Sequence, residues 1–249
     1  MPKWIYATDL DGTLIFSDRS YKFDKRQAVP VDKSEKVTSY MSTEVYNRLK
    51  YLADVKFVPV TARTIQQFKR IELPVTPTWA ITTCGGVILR DGEVFAPYEQ
   101  YLSQQDFSQP MKKMQSDLES LDGGSGEVKL IDNKYLYTKA VDRSLVSRQL
   151  DRLRKHNPLM QIGLDRSKLY ALPLSFNKGK AIKWLQDYIG CPNLVASGDS
   201  YFDVDLLNAA DIAVIPGHAS LTRTDVHRYV EVDAGITGPL QTLGLLQTL

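Results

Sequence analysis

Cysteine is scarce in this chain: Cys84 and Cys191 are the only two among 249 residues. They stand far apart and have no metal-type partners nearby. That excludes a disulfide-built scaffold and leads us to expect free thiols in a reducing, cytoplasmic setting. Long apolar runs are lacking too. The longest fall well short of the roughly 20 residues that span a membrane, and the opening segment has no extended apolar stretch before its first aspartates. A membrane is therefore not an expected partner. An excess of one charge is missing as well, since 31 Lys and Arg against 29 Asp and Glu leave a net charge of +2. The basic residues form no clustered stripe, so nucleic acid is not expected either. Histidine occurs only as His156, His218 and His227, with no pair at metal-ligand spacing. Gly123-Gly124-Ser125-Gly126 lacks the Gly-Lys-Ser/Thr ending of a nucleotide phosphate loop and reads as an ordinary loop.

What is present is an alternation of short apolar runs and amphipathic stretches, the pattern of a doubly wound α/β fold with a parallel sheet. Trp4–Ala7 reads as a buried strand. A helix over 43–54 follows, with Ser42 or Thr43 as its cap, then a strand over 56–61, a helix over 64–71 and a strand over 79–83. Next the pattern changes. Val87-Ile88-Leu89, Asp91-Gly92 and Glu93-Val94-Phe95 form a hairpin signal with Asp-Gly at its turn. A helix with Met111, Met114, Leu118 and Leu121 on one face follows, then two strands, a second helix around Leu145–Leu153 and two more strands. This is an α+β module placed in the middle of the chain. Helix–strand alternation resumes at Lys178 and runs through the strands at 194–197 and 212–215, with a helix over 202–209 between them. The expected organisation is a core over 1–86 and 173–249 with an inserted module over 87–172.

In open parallel sheets, ligands bind beyond the carboxyl ends of the strands. The polar residues at those ends are Asp9 and Asp11, Thr61 with Arg63, and Asp199 with Asp203, joined by Lys178 at a helix start. Asp9 and Asp11 lie two apart on an extended segment and so point the same way, with Gly12 allowing a sharp turn after them. Like charges held close call for a bound cation, a shared proton, or both. A carboxylate can attack phosphorus, a hard cation such as Mg²⁺ neutralises the meeting of two anions, and a lysine with a hydroxyl binds the equatorial oxygens. The set is suited to phosphoryl transfer.

Four segments in order resemble the motifs of the haloacid dehalogenase (HAD) superfamily, in the branch with a type-2 cap. They are Asp9-Leu10-Asp11-Gly12-Thr13, Val60-Thr61-Ala62-Arg63, Asn177-Lys178-Gly179-Lys180-Ala181 and Gly198-Asp199-Ser200-Tyr201-Phe202-Asp203. The resemblance implies a Rossmann-like core with an inserted α+β cap domain and Mg²⁺ as cofactor. It implies Asp9 as nucleophile and Asp11 as the group that protonates the leaving oxygen and later activates water. Thr61 and Lys178 would hold the phosphoryl group. Asp9, the carbonyl of Asp11 and Asp199 would ligate Mg²⁺, with Asp203 a direct or water-mediated ligand. The relatives include sucrose-phosphate and mannosyl-3-phosphoglycerate phosphatases, so a small sugar phosphate ester is the implied substrate, and a monomer or small homo-oligomer the expected state.

The chain departs from that pattern at Phe202, where Asn is usual, at Cys84-Gly85-Gly86 for Asn-Gly-Ala, and at Gly217-His218-Ala219 for Gly-Asn-Ala. The stretch from Phe16 to Ser42 is longer than the branch leads one to expect. Its Ser17, Asp18, Arg19, Lys22, Asp24, Lys25 and Arg26 read either as a flap over the site or as a tolerated surface insertion. Several site residues also admit two roles. Thr61 is a phosphoryl ligand or a helix cap, Lys180 rivals Lys178, and Asp203 serves a metal or only a helix dipole. Arg63 pairs with substrate or with a nearby acid, and His218 is a candidate for the site rim. Lys129, Lys134, Arg143, Arg166 and Lys168 are the polar candidates for specificity in the cap. The same nucleophile would serve a phosphomutase or phosphotransferase. A non-catalytic phosphate binder would need no nucleophile, and the intact acids stand against it.

Overall fold

Apolar runs that do not alternate with polar residues require a strand covered on both faces. The computed structural model, which describes residues 3–17, 24–34, 37–52 and 55–249, places the first such run at the centre of a sheet. In chain order the first part comprises β1 (Trp4–Thr8), β2 (Ala28–Pro30), β3 (Tyr40–Ser42), α1 (Thr43–Leu49), β4 (Val55–Pro59), α2 (Ile65–Lys69), β5 (Trp79–Thr82), β6 (Val87–Arg90) and β7 (Glu93–Val94). The middle comprises α3 (Ala96–Ser103), α4 (Ser108–Glu119), β8 (Gly124–Ile131), β9 (Tyr135–Ala140), α5 (Arg143–His156), β10 (Met160–Asp165) and β11 (Lys168–Pro173). The last part comprises α6 (Lys178–Ile189), β12 (Asn193–Ser197), α7 (Val204–Asn208), β13 (Ile212–Pro216), β14 (Tyr229–Val232) and α8 (Gly238–Leu246).

Two compact units result. One contains residues up to Phe95 and from Lys178 onward; the other is Ala96–Asn177. The divisions fall after Phe95 and Asn177, where sequence patterning suggested Gly86 and Leu172. The hairpin explains the first difference: β6 pairs with β5, Ile81 opposite Ile88, and so stays with the core. Asp91 and Gly92 turn the hairpin with φ of 50° and 82°, the left-handed pair that a two-residue turn needs.

The first unit is built on a parallel sheet in the order β14-β13-β12-β1-β4. A parallel bridge between Val60 and Ile81 continues it to β5. The chain moves from β1 to β4 on one side and returns through α6 to β12 on the other, so β1 is the point where strand order reverses. Ligands of doubly wound sheets bind at such a point, beyond the carboxyl ends. Helix starts in this unit are set by capping. Ser42 Oγ accepts from Val45 N at 3.2 Å, and Thr64 forms a reciprocal box with Gln67.

The second unit is an antiparallel sheet in the order β10-β11-β9-β8 with α4 and α5 packed against it. Its core is Met114, Leu118, Val146, Leu150 and Leu153 from the helices against Leu136, Ile162, Leu169 and Ala171 from the strands.

Several expectations need correction. Gly124-Ser125-Gly126 is not a loop but the start of β8, joined to β9 with a register shift between Gly124 and Val128. Helix α3 was not anticipated; Pro97 sits in its first turn, where a missing N–H costs nothing. The stretch over 202–209 is split into a 3-10 turn, Tyr201–Asp203, and α7. Helix α1 ends at Leu49, short of 54, and Asp54 itself, like Asp18, Arg19 and Lys22 of the flap reading, lies outside the described residues. Strand β14 and helix α8 extend the core beyond the last strand that the sequence patterns suggested.

Leu118 is fully buried in the second unit's core. Leu118→Ala is expected to destabilise the protein by about 2–5 kcal/mol, read from urea unfolding. A loss below about 1 kcal/mol would show that α4 is not seated on the sheet as described.

Candidate active site

Three adjacent strands end side by side, and each delivers one acidic or hydroxyl residue. Asp9 follows β1, Thr61 lies just past β4, and Asp199 follows β12. Lys178, the first residue of α6, completes the group. Asp9 still belongs to the ladder, since its N–H donates to Ser197 O at 2.9 Å. The backbone turns only after it: Leu14 and Ile15 N both donate to Leu10 O, and Gly12 N donates to Ile15 O. Gly12 has φ of 94°, and a Cβ there would lie 2.5 Å from Asp199 Oδ2. Glycine is required at this position both for the turn and for the close approach.

The Lys178 ammonium is the hub. It is 2% exposed and donates to Asp9 Oδ1 and to Asp203 Oδ1, each at 2.6 Å. Lys178, not Lys180, makes these contacts. Burial alone would lower the lysine's pKa, but Asp203 and Asp9 outweigh it and hold the group protonated. Asp203 is completely buried, and its second oxygen accepts from Ser200 N at 2.9 Å, Ser200 Oγ at 2.8 Å and Asp199 N at 3.2 Å. Both of its oxygens are thus engaged within the protein, so its place is behind Lys178 and the Asp199 loop.

Asp9, Asp199 and Asp203 offer carboxylate oxygens that lie within 4.8 Å of one another. Burial pushes Asp9 well above the usual carboxylate pKa; Lys178 opposes the shift, while Asp203 and Asp199 add to it. Lys178 contacts two of these three carboxylates, so with all three ionised the cluster carries a net negative charge. Hard oxygen donors with that charge fit a divalent cation such as Mg²⁺.

Asp11 has a different environment from its neighbour. The two carboxylates meet different cationic side chains, Lys178 for Asp9 and Arg63 for Asp11. Asp11, 53% exposed, accepts from Arg63 Nε and Nη2, both at 2.7 Å. The acid therefore claims Arg63. Thr61 is buried and its hydroxyl accepts from Arg63 N at 3.1 Å; the helix cap is Thr64, not Thr61.

A line of buried hydroxyls runs beneath the site. Ser197 Oγ donates to Thr8 Oγ1 at 2.7 Å, and Thr8 Oγ1 donates to Asp9 O at 2.8 Å. Ser197 Oγ then accepts from Tyr6 OH at 3.0 Å, which fixes the direction of the whole chain. His218 also has a definite role in the frame. Its Nδ1 accepts from Gly235 N at 2.9 Å, so its Nε2 carries the proton and donates to Gly12 O at 2.7 Å. Ser220, two residues on, donates N–H to Asp199 O at 2.7 Å. The loop after β13 thus holds both acidic loops.

Sequence reasoning missed Ser197, Ser200, Ser220 and Ser39, the last of which accepts from Arg63 Nη2 at 3.0 Å. Only Ser200 carried a signal, as the residue three before Asp203 in a capping box. Of the departures, Phe202 is buried and stacks edge-on with Tyr201. Thr83 and Cys84 take φ of 57° and 55°, a left-handed pair beside Lys178 that costs backbone strain. Burial pushes the Cys84 thiol up to about 12, so it is inert. Within the second unit Lys134 pairs with Glu99 at 2.9 Å, Lys129 with Glu127 at 3.2 Å, and Arg143 Nε donates to Arg166 O.

A family model described as sucrose-6F-phosphate phosphohydrolase matches residues 2–231. No curated protein sequence matches the chain. Among solved structures, the sucrose-phosphatase of Synechocystis sp. PCC6803, in complex with sucrose and phosphate, is similar with a TM-score of 0.72 at 15% identity, covering 99% of each chain. The trehalose-6-phosphate phosphatase of Aspergillus fumigatus is similar with a TM-score of 0.58 at 17% identity, over 99% of this chain and 92% of that one. A HAD-superfamily phosphatase of Bacteroides thetaiotaomicron gives 0.61 at 17%, over 98% and 95%. At these identities the structures establish the fold, a HAD core with additional antiparallel sheets. With the family model spanning nearly its whole length, the chain belongs to the sucrose-6F-phosphate phosphohydrolase family of the HAD superfamily and is a phosphoric monoester hydrolase.

Proposed function

We propose that this protein is a Mg²⁺-dependent phosphatase that hydrolyses a small sugar phosphate through an aspartyl-phosphate. The observation that carries the reading is the Asp9–Lys178–Asp203 cluster at the reversal point of the sheet, with Asp199 beside it. The family description and the sucrose and phosphate bound to the Synechocystis enzyme support a sugar ester as substrate. Residues 96–177 would be the cap.

In the first step a carboxylate oxygen of Asp9 bonds to phosphorus as the bond to the sugar oxygen breaks, and Asp11 gives that oxygen a proton. In the second, Asp11 takes a proton from water, the water oxygen bonds to phosphorus, and the bond to Asp9 breaks to free phosphate. Lys178 and Thr61 bind the equatorial oxygens of the group in transit. Asp203 keeps Lys178 charged and in place. Asp9, Asp199 and the Asp11 carbonyl would hold Mg²⁺, whose contribution is to neutralise the meeting of two anions. Arg63 is committed to Asp11, so its part in substrate binding is through that acid. Buried free thiols at Cys84 and Cys191 fit a reducing, cytoplasmic setting, and no helix among the described residues is long and apolar enough to cross a membrane.

Asp9→Asn is expected to lower Mg²⁺-dependent hydrolysis of p-nitrophenyl phosphate on the order of 10³-fold or more, with an unchanged circular dichroism spectrum. Turnover near that of the wild type would rule out Asp9 as nucleophile. Given a panel of phosphate esters with Mg²⁺, the enzyme should release inorganic phosphate fastest from disaccharide and hexose phosphates, and chelation by EDTA should stop it. An isomerised sugar phosphate with no free phosphate would instead identify a mutase.

A further inference from the structure

The stretch between residues 16 and 42 reaches into the site through one buried serine. Within it, β2 and β3 form an antiparallel pair, Val29 opposite Met41. The pair is tied to the exit of β1 by reciprocal bonds between Phe16 and Tyr40, 2.8 Å each way. It is tied to the end of α2 by Lys33 N donating to Arg70 O at 2.9 Å and Glu72 N donating to Val31 O at 2.7 Å. Both anchors are backbone bonds, so β2 and β3 are held as a part of the core unit.

Ser39, directly before β3, is 3% exposed and accepts from Arg63 Nη2 at 3.0 Å. The same guanidinium presents Nε and Nη2 to the two oxygens of Asp11. Asp32, from the stretch between β2 and β3, adds an attractive charge to Arg63 and is itself fixed by Ser34 N at 2.9 Å and Thr38 Oγ1 at 2.7 Å. An exposed arginine–carboxylate pair ordinarily contributes little, because ordering two mobile side chains costs entropy. Here the Arg63 side chain is only 14% exposed and is held by Ser39, so the ordering is imposed from outside the pair. The carboxylate, 53% exposed, takes its aim from a guanidinium that has little freedom of its own.

We propose that Ser39 is a positioning residue for proton transfer: it fixes Arg63, and through it the direction of the Asp11 carboxyl group. The inference rests on the proposed role of Asp11 as proton donor. It assigns the segment that carries β2 and β3 a task in catalysis beyond that of a surface loop. When the phosphorus–oxygen bond breaks, a weakly basic leaving oxygen departs with little help, whereas an alkoxide or simple phenoxide needs the proton delivered on time. In that first step a misdirected Asp11 penalises poor leaving groups selectively, which a general loss of structure would not do.

The test is a series of aryl phosphates graded by leaving-group basicity, from p-nitrophenyl to phenyl phosphate, with Asp11→Asn measured in parallel. Ser39→Ala is expected to lower kcat/KM, which reports the steps through departure of the leaving group, about fivefold for phenyl phosphate and less than about twofold for p-nitrophenyl phosphate. Arg63→Lys keeps the charge but not the two-bond edge, and should reproduce the same selectivity. Asp11→Asn should show it most strongly. Uniform loss across the series for Ser39→Ala, or no loss, alongside a selective Asp11→Asn would overturn the proposal and leave Asp11 as the donor. An Asp11→Asn variant that is itself unselective would instead bring down the reading on which the proposal rests.

Discussion

One ammonium group between two buried carboxylates organises this molecule. Removing three charges from water costs several kcal/mol per ion, and only close, mutually satisfied geometry recovers it. Lys178 meets that condition with two contacts of 2.6 Å, and Asp203 meets it with further donors on its other oxygen. The three partners come from the end of β1, the 3-10 turn after β12 and the start of α6. Moving any one of those elements would strand a charge in a dry interior. The chain also re-enters the core unit at Lys178 itself. The inserted unit thus ends where the residue most constrained by the core begins.

Around that cluster the protein uses neutral groups whose proton direction is determined. The run from Tyr6 through Ser197 and Thr8 to the Asp9 carbonyl has only one consistent ordering, because Thr8 uses its proton on Asp9. His218 is fixed in the same way, as an acceptor from Gly235 and a donor to Gly12. Such networks add no net charge to a site that already has an excess of negative charge. They hold backbone carbonyls beside the acids and leave the charge balance to the acids and the lysine.

How much of this the sequence disclosed depends on the kind of signal. The parallel core was legible because its strands, buried on both faces, are unbroken apolar runs such as Ile5–Ala7 and Leu194–Ala196. The acids and Lys178 were legible because polar residues at strand ends and helix starts stand out against that background. Helix α3 was hidden by Pro97, and the start of β8 by glycines that are more familiar in loops. Partner choice was hidden altogether. Arg63 is followed by no mark that selects Asp11, 52 positions away, and Ser39 is one serine among many until β3 is folded back beside β1. Long-range pairing of this kind is a property of the folded topology, not of any local window.

The two aspartates at the end of β1 lie in opposite environments, and this separation suits the two-step hydrolysis proposed for them. Asp9 is buried against a lysine, in reach of Asp199 and Asp203, where a carboxylate is costly unless cations surround it. Asp11, two residues later, is half-exposed and turned to an arginine held by another segment. A group that must form and break a covalent bond to phosphorus gains from a fixed, desolvated position. A group that must exchange protons with water gains from access to it. The turn at Gly12, which only a residue without a side chain can make against Asp199, is what divides the pair. Local backbone geometry, more than residue type, sets the two carboxylates apart.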